Sequence, residues 1–162
     1  MSTNVRAAAE ADLDALVQLN QVVQTLPAML YPDDFKLTPD QSALRAFFAA
    51  QLANPRNTIG MAEADHVPVG YAWFKRQSRP ETPLTPARSR IYLHHISVVQ
   101  EARRRGIAAA LMRYLEHQAA LESVDEIALG TWVANLDAQH FFASQGFAPF
   151  SVAHRKRLSR VT

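Results

Sequence analysis

The chain of 162 residues contains no cysteine, which excludes disulfides, thiolate metal sites and cysteine nucleophiles together. It has no apolar run near the roughly 18 residues needed to cross a bilayer. Its amino terminus, Met1-Ser2-Thr3-Asn4-Val5-Arg6, lacks the apolar core of a signal peptide. The reading is therefore a cytoplasmic protein with no membrane partner. An excess of one charge is missing too. The formal net charge is +2, too small to argue for general nucleic-acid binding, so the clustering of arginines matters more than their total. No internal repeat or low-complexity tract is present. Metal-ligand spacing is also absent: His94 and His95 are adjacent on an expected strand, where neighbours point to opposite faces and cannot grip one ion. No metal is expected.

What is present is an ordinary globular composition, with 48% apolar and 20% charged residues. The length suits one domain, residues 1–162, with a sizeable core. Val5 to Ala8 reads as a short strand. Asp12 is placed to cap a helix bearing Leu13, Leu16, Val17 and Val23 near one face, broken from Leu26-Pro27 through Pro32-Asp33. Thr38-Pro39 starts a second helix with a buried stripe of Leu44, Phe47, Phe48 and Leu52, ended by Asn54-Pro55. Asn57 to Glu63 and Val67 to Lys75 read as a hairpin. Gln77 to Ser89, with Pro80, Pro83 and Pro86, reads as a long loop. A strand at Arg90 to Val99 follows, then a helix with Ile107, Leu111 and Leu115 on one stripe. A strand at Ile127 to Val133, a helix after Asn135, and a final strand around Phe150 to Leu158 complete the order.

The most informative stretch is Arg103-Arg104-Arg105-Gly106-Ile107-Ala108-Ala109-Ala110. The first N–H groups of a helix have no intrahelical partner, and the helix dipole adds positive potential at the same end. Gly106 lets the backbone turn sharply there, and the alanines keep the first helical turn narrow. A pyrophosphate fits such a loop. Taken singly, each arginine is equally well an idle solvent-facing charge.

The strand before this loop, Arg-x-x-Gly-x-Ala opening a helix, the next strand, and Asn135-x-x-Ala138-x-x-Phe141-Phe142-x-x-x-Gly146-Phe147 form a pattern. It resembles the GCN5-related N-acetyltransferase (GNAT) superfamily over residues 90–147. The resemblance implies an α/β fold: a mixed, mostly antiparallel sheet flanked by helices and splayed between two central parallel strands. It also implies acetyl-CoA as co-substrate. By this match Arg103, Arg104, Arg105, Gly106, Ile107, Ala108 and Ala109 form the phosphate loop. The backbone of Ile96, Ser97 and Val98 would pair with the peptide-like pantetheine arm. Asn135 matches the asparagine that opens the second motif, a position where a plain helix cap is equally natural.

For catalysis the resemblance points to the same strand. Some members carry a His-x-His pair there, and its second histidine falls on His94; the first falls on Tyr92, so the pair is not intact. His94 is the candidate base for an attacking amine, with a hydrogen-bonded structural histidine as the alternative; His95 reads as structural. The family tyrosine that protonates the departing thiolate is matched by Phe142, which has no hydroxyl. Tyr92 is the remaining substitute. Without cysteine, direct attack on the bound thioester in a ternary complex is expected.

The acceptor would be a small-molecule amine or a peptide amino group. Tyr31, Asp33, Asp34 and Phe35 lie between the first two helices, where the family places its acceptor; the acidic pair either attracts an ammonium group or is turn chemistry. Two other classes of function remain: a noncatalytic acyl-CoA-binding module, and a nucleic-acid-binding protein using Arg103 to Arg105 with Arg155-Lys156-Arg157. The nucleic-acid reading leaves the Asn135 to Phe147 pattern unexplained, so nucleic acid is not the expected partner. A homodimer is compatible with the sequence.

Overall fold

The computed structural model describes residues 2–159. Five strands form one sheet in sequential order: β1 (Thr3–Ala7), β2 (Asn57–Ala64), β3 (Val67–Arg79), β4 (Arg88–Val98) and β5 (Ile127–Leu129). The first four are antiparallel neighbours, and β5 runs parallel to β4. The helices are α1 (Leu13–Leu30), α2 (Gln41–Ala53), α3 (Ile107–Leu121) and α4 (Leu136–Ser144).

Alternation along β3 divides the core. Ala72 and Phe74 join Ile91 and Leu93 of β4 under the α3 stripe Ile107, Leu111, Met112 and Leu115, with Phe142 of α4 beside them. Tyr71, with Ile59 and Met61 of β2, faces Leu13, Leu16 and Val17 of α1 and Phe48 of α2. Each fully buried aliphatic or aromatic side chain contributes about 1.5–3 kcal/mol, so these two layers hold the sheet between the helix pairs.

Several expectations need correction. Helix α1 does not stop at Leu26-Pro27 but runs to Leu30, because Pro27 and Ala28 are buried and Tyr31 N–H closes the turn on the Pro27 carbonyl at 2.8 Å. A proline inside a helix loses one hydrogen bond; burial here outweighs that loss. Asp12 does not cap α1 with its side chain. It accepts from the Ala9 N–H at 2.8 Å and from the two terminal guanidinium nitrogens of Arg6 at 2.8 Å. Helix α2 starts at Gln41, later than Thr38-Pro39, with Asp40 accepting the Ala43 N–H as its cap. Of its stripe only Phe48 is fully buried; Phe47 is partly exposed and lies edge-on to Trp73.

The expected loop at 77–89 is shorter. β3 and β4 continue as a paired hairpin through Gln77↔Arg90 and Arg79↔Arg88, so the connection is 80–87, tightened by a Thr82–Thr85 bridge. β5 stops at Leu129 instead of Val133, and the expected strand at Phe150 to Leu158 is irregular and exposed.

Candidate active site

β4 and β5 pair only at Ile91↔Ile127, Tyr92↔Ala128 and Leu93↔Leu129. Beyond Leu93 the two chains part, while β4 stays paired to β3 as far as Val98↔Gly70. The backbone of Ile96, Ser97 and Val98 therefore has one edge bonded to β3 and the other facing the gap. Their side chains are structural: Ile96 and Val98 pack against the α3-side core, and buried Ser97 donates to the Leu19 carbonyl of α1 at 2.8 Å. This holds the strand still and leaves its outer main-chain groups available, as an extended amide-bearing ligand requires.

At the carboxyl end of β4, a 3-10 turn (Gln100–Ala102) leads into the arginine loop. Arg104 (φ 59°) and Gly106 (φ 77°) are both left-handed. Ala110 makes the bond to the Gly106 carbonyl that starts the α3 ladder, so the N–H groups of Ile107, Ala108 and Ala109 precede it at the mouth of the helix. A Cβ on Gly106 would meet nothing within 4 Å; glycine is there for the backbone angle, and the space before the helix is open. Left-handed residues alternating with others turn successive N–H groups toward one concavity, which suits an anion. Arg103 donates to the Val98 carbonyl at 3.4 Å, tying loop to strand. The side chains of Arg103, Arg104 and Arg105 are exposed around the concavity. Both features fit a pyrophosphate followed by a pantetheine arm.

Asn135 caps α4, its Oδ1 accepting the Ala138 N–H at 3.1 Å, and its Nδ2 remains to donate elsewhere. Gln139 donates to the Trp132 and Val133 carbonyls at 3.1 and 3.0 Å, fixing the chain that leaves β5. Phe142 lies in the core, 7% exposed, with its ring edge-on to Phe141 and Phe147.

The expectation that His94 and His95 point apart is corrected by a β-bulge. Trp73 pairs with His95, and Phe74 pairs with Leu93, so His94 is the extra residue and the alternation resets there. Both imidazoles reach the same indole: His94 stacks on Trp73 at 4.4 Å and 19°, and His95 meets it edge-on at 4.9 Å. The bulge sits one residue past the last β4–β5 pair, where the gap opens. Tyr92 is edge-on to His94 at 5.0 Å, with its hydroxyl beside Gly130 as the chain leaves β5.

The two histidines differ in environment. His94 is exposed, and burial of part of its ring together with nearby Lys75 lowers its pKa below the ordinary value. For His95, burial first and then His94 push the pKa down to about 4. Its Nδ1 lies 2.9 Å from the Tyr71 hydroxyl, which also accepts from Asn20 Nδ2 at 3.2 Å. The hydroxyl keeps its proton to give to His95 Nδ1 in the tautomer that carries the imidazole's own proton on Nε2. Tyr71, Trp73 and Asn20 were not singled out as site residues in the sequence, because an alternating strand and an ordinary helix explain them equally well. Among the described residues no group of three or more His, Asp or Glu is arranged to hold a metal ion, and no helix is long and apolar enough to cross a membrane.

At the same end of the sheet, Trp132 contacts Tyr31 at 4.9 Å and Phe35 at 5.2 Å, closing the α1–α2 connection against the β5–α4 connection. Asp34 accepts from Arg155 at 2.6 Å and Arg157 at 3.4 Å, and Asp33 lies 3.8 Å from Arg157. The acidic pair is matched within the chain.

The sheet that parts beside a bulge, with an anion cradle at the following helix, defines an acyl-CoA transferase fold. The chain belongs to the acetyltransferase (GNAT) family, whose model matches residues 23–147, and acetyl-CoA is the co-substrate. In three dimensions it is similar to a Bacillus halodurans protein solved as a tetramutant: TM-score 0.87, 19% identity, covering 96% of this chain and 99% of that one. A predicted acetyltransferase of Clostridium acetobutylicum, solved with acetyl-CoA, superposes with TM-score 0.72 at 18% identity, covering 96% of each chain. The aminoglycoside antibiotic 6'-N-acetyltransferase of Acinetobacter haemolyticus gives TM-score 0.72 at 20% identity over 96% of this chain and 99% of that one. No curated protein matches in sequence.

Proposed function

We propose that this chain, as one domain, transfers an acetyl group to the amine of a small molecule or peptide by direct attack, with His94 as the base. The observation that carries the reading is the bulge at His94, placed where β4 and β5 separate and on the strand that leads to the Arg103–Ala109 loop. Bound acetyl-CoA supplies an acyl carbon activated as a thioester.

The loop N–H groups and the arginines hold the anionic end, and the Ile96–Val98 edge aligns the arm. His94, neutral near pH 7 because its pKa is lowered, takes a proton from the amine nitrogen as the C–N bond forms and the C–S bond breaks. No cysteine is available for a thiol-linked acyl-enzyme, which supports a ternary complex. Phe142 has no proton to give, and its ring lies in the core; the leaving thiol, with an ordinary pKa near 8.5, departs as thiolate or takes its proton from Tyr92 or water.

The missing hydroxyl at Phe142 also motivates a second reading, a noncatalytic acyl-CoA-binding module. Calorimetric titration with acetyl-CoA, on the native chain and on Arg103→Ala and Gly106→Asp, tests the site. Micromolar binding weakened by both changes supports it, and no binding to the native chain overturns it. An amine screen for CoA release, with His94→Ala as control, then separates transferase from binding module.

A further inference from the structure

Along β4, the residues before the bulge lead from His94 away from the CoA gap. The Tyr92 ring touches His94, and the Arg90 guanidinium lies over that ring at 5.4 Å from its centroid. Beyond it opens a cavity of about 700 Å³, lined in part by Arg79, Arg88, Arg90, Gln77, Glu126 and Phe150. The extended β3–β4 hairpin builds it by pairing Gln77 with Arg90 and Arg79 with Arg88. Three guanidiniums face one carboxylate. Glu126 is engaged by Arg88, and Arg90 donates to the neutral Gln77 Oε1 at 2.9 Å. Arg79 has no ion-pair partner among the described residues. The cavity therefore keeps a surplus of positive charge, offered by planar donors suited to a carboxylate. At the other end of the site, the carboxylates of Asp33 and Asp34 are already paired with Arg155 and Arg157, so no unmatched acidic cluster there selects a cationic acceptor.

We infer that the Arg79–Arg88–Arg90 cavity holds the carboxylate of the acceptor, so that the acceptor is an amine that also carries an anionic group. The inference rests on the transferase reading above. The Arg90 guanidinium lies 5.4 Å from the Tyr92 ring centroid, and that centroid lies 5.0 Å from that of the His94 ring, so one aromatic ring separates the cation from the candidate base. An amine that carries its carboxylate within a residue or two of the amino group reaches both ends. A polycationic acceptor would meet like charge in the cavity.

The test uses a matched pair of dipeptides with free amino termini, one a C-terminal carboxylate and the other its carboxamide, each assayed for CoA release with acetyl-CoA. The free acid is expected to be preferred at least about 10-fold in kcat/KM, mainly through KM. Arg79→Gln and Arg90→Gln should shrink that ratio toward one. Arg79 is exposed, so its variant stays informative if Arg90→Gln fails to fold. Equal use of the two peptides, or preference for the carboxamide, overturns the inference and leaves the transferase reading standing. Calorimetry of both peptides against the CoA-saturated protein separates the remaining cases. Selective binding of the free acid without turnover supports the cavity assignment while overturning transfer. Equal affinity, or binding of neither, overturns the cavity assignment. A phosphorylated amine preferred over the free acid would overturn the choice of carboxylate.

Discussion

The Tyr71 hydroxyl lies 2.9 Å from His95 Nδ1, inside the layer between β3 and α1, and ties the second histidine of the bulge to a fully buried ring. The bond is charge-neutral, because burial holds His95 down to about 4. The unfolded chain takes up a proton near the ordinary histidine pKa of about 6.5, and the folded chain does so only near 4. Stability is therefore full above about pH 6.5 and erodes as the pH falls toward 4, by up to about 3 kcal/mol. Thermal melts across this window should show a falling midpoint, and His95→Gln should flatten the slope. The Arg6–Asp12 pair acts lower: Asp12 is held below its ordinary value chiefly by Arg6, so its contribution is lost only below about pH 4.

Removing the hydroxyl tests the same bond from its other end. Tyr71→Phe leaves His95 Nδ1 and Asn20 Nδ2 without this partner, and a buried unsatisfied polar group costs about 1–3 kcal/mol. Chemical denaturation should show a loss of that order. A change below about 0.5 kcal/mol would mean that water replaces the hydroxyl.

His94 supplies the kinetic counterpart. A base must be deprotonated, and burial and Lys75 lower its pKa, so the acidic limb of kcat/KM should fall below the ordinary histidine value. His94→Ala should abolish that limb and cut the rate by about 10²–10⁴-fold. An unchanged pH profile in the variant would remove His94 from the reaction.

Gly106 separates backbone angle from space. Its φ of 77° strains any L side chain, yet a Cβ there touches nothing. Gly106→Ala should cost about 1–2 kcal/mol and weaken acetyl-CoA binding in calorimetry, and Gly106→Asn, which tolerates this region better, should recover part of both. Equal affinity in all three proteins would show that the left-handed turn does not form the anion cradle.

Gly70 reports the opposite constraint. A Cβ there would sit 2.5 Å from the Ser97 carbonyl oxygen, and that backbone belongs to the strand edge assigned to the pantetheine arm. At Gly60 the obstacle is the Tyr114 ring at 2.8 Å, a side chain with some freedom to move. Overpacking costs about 1–3 kcal/mol. Gly70→Ala should lower the melting temperature more than Gly60→Ala, and should also weaken acetyl-CoA binding.

Much was legible in the residues themselves. Apolar spacing located the helices from Leu13, Leu44 and Ile107, and the Arg103–Ala109 and Asn135–Phe147 patterns identified the family and the co-substrate. These are local properties: a 3.6-residue stripe, a capping asparagine and a left-handed glycine are each written within a dozen residues. Tertiary structure decided the rest. Burial of Pro27 and Ala28 carried α1 past a residue that breaks isolated helices, and pairing across Gln77↔Arg90 turned the two ends of a proline-rich loop into strand. The β3 partner inserted a bulge at His94, so two adjacent histidines meet one tryptophan where alternation alone sends them apart. A bulge exists only as a mismatch between two strands, and a cavity walled by Arg79, Arg90 and Glu126 exists only when three strands lie side by side. No window of one strand can contain either.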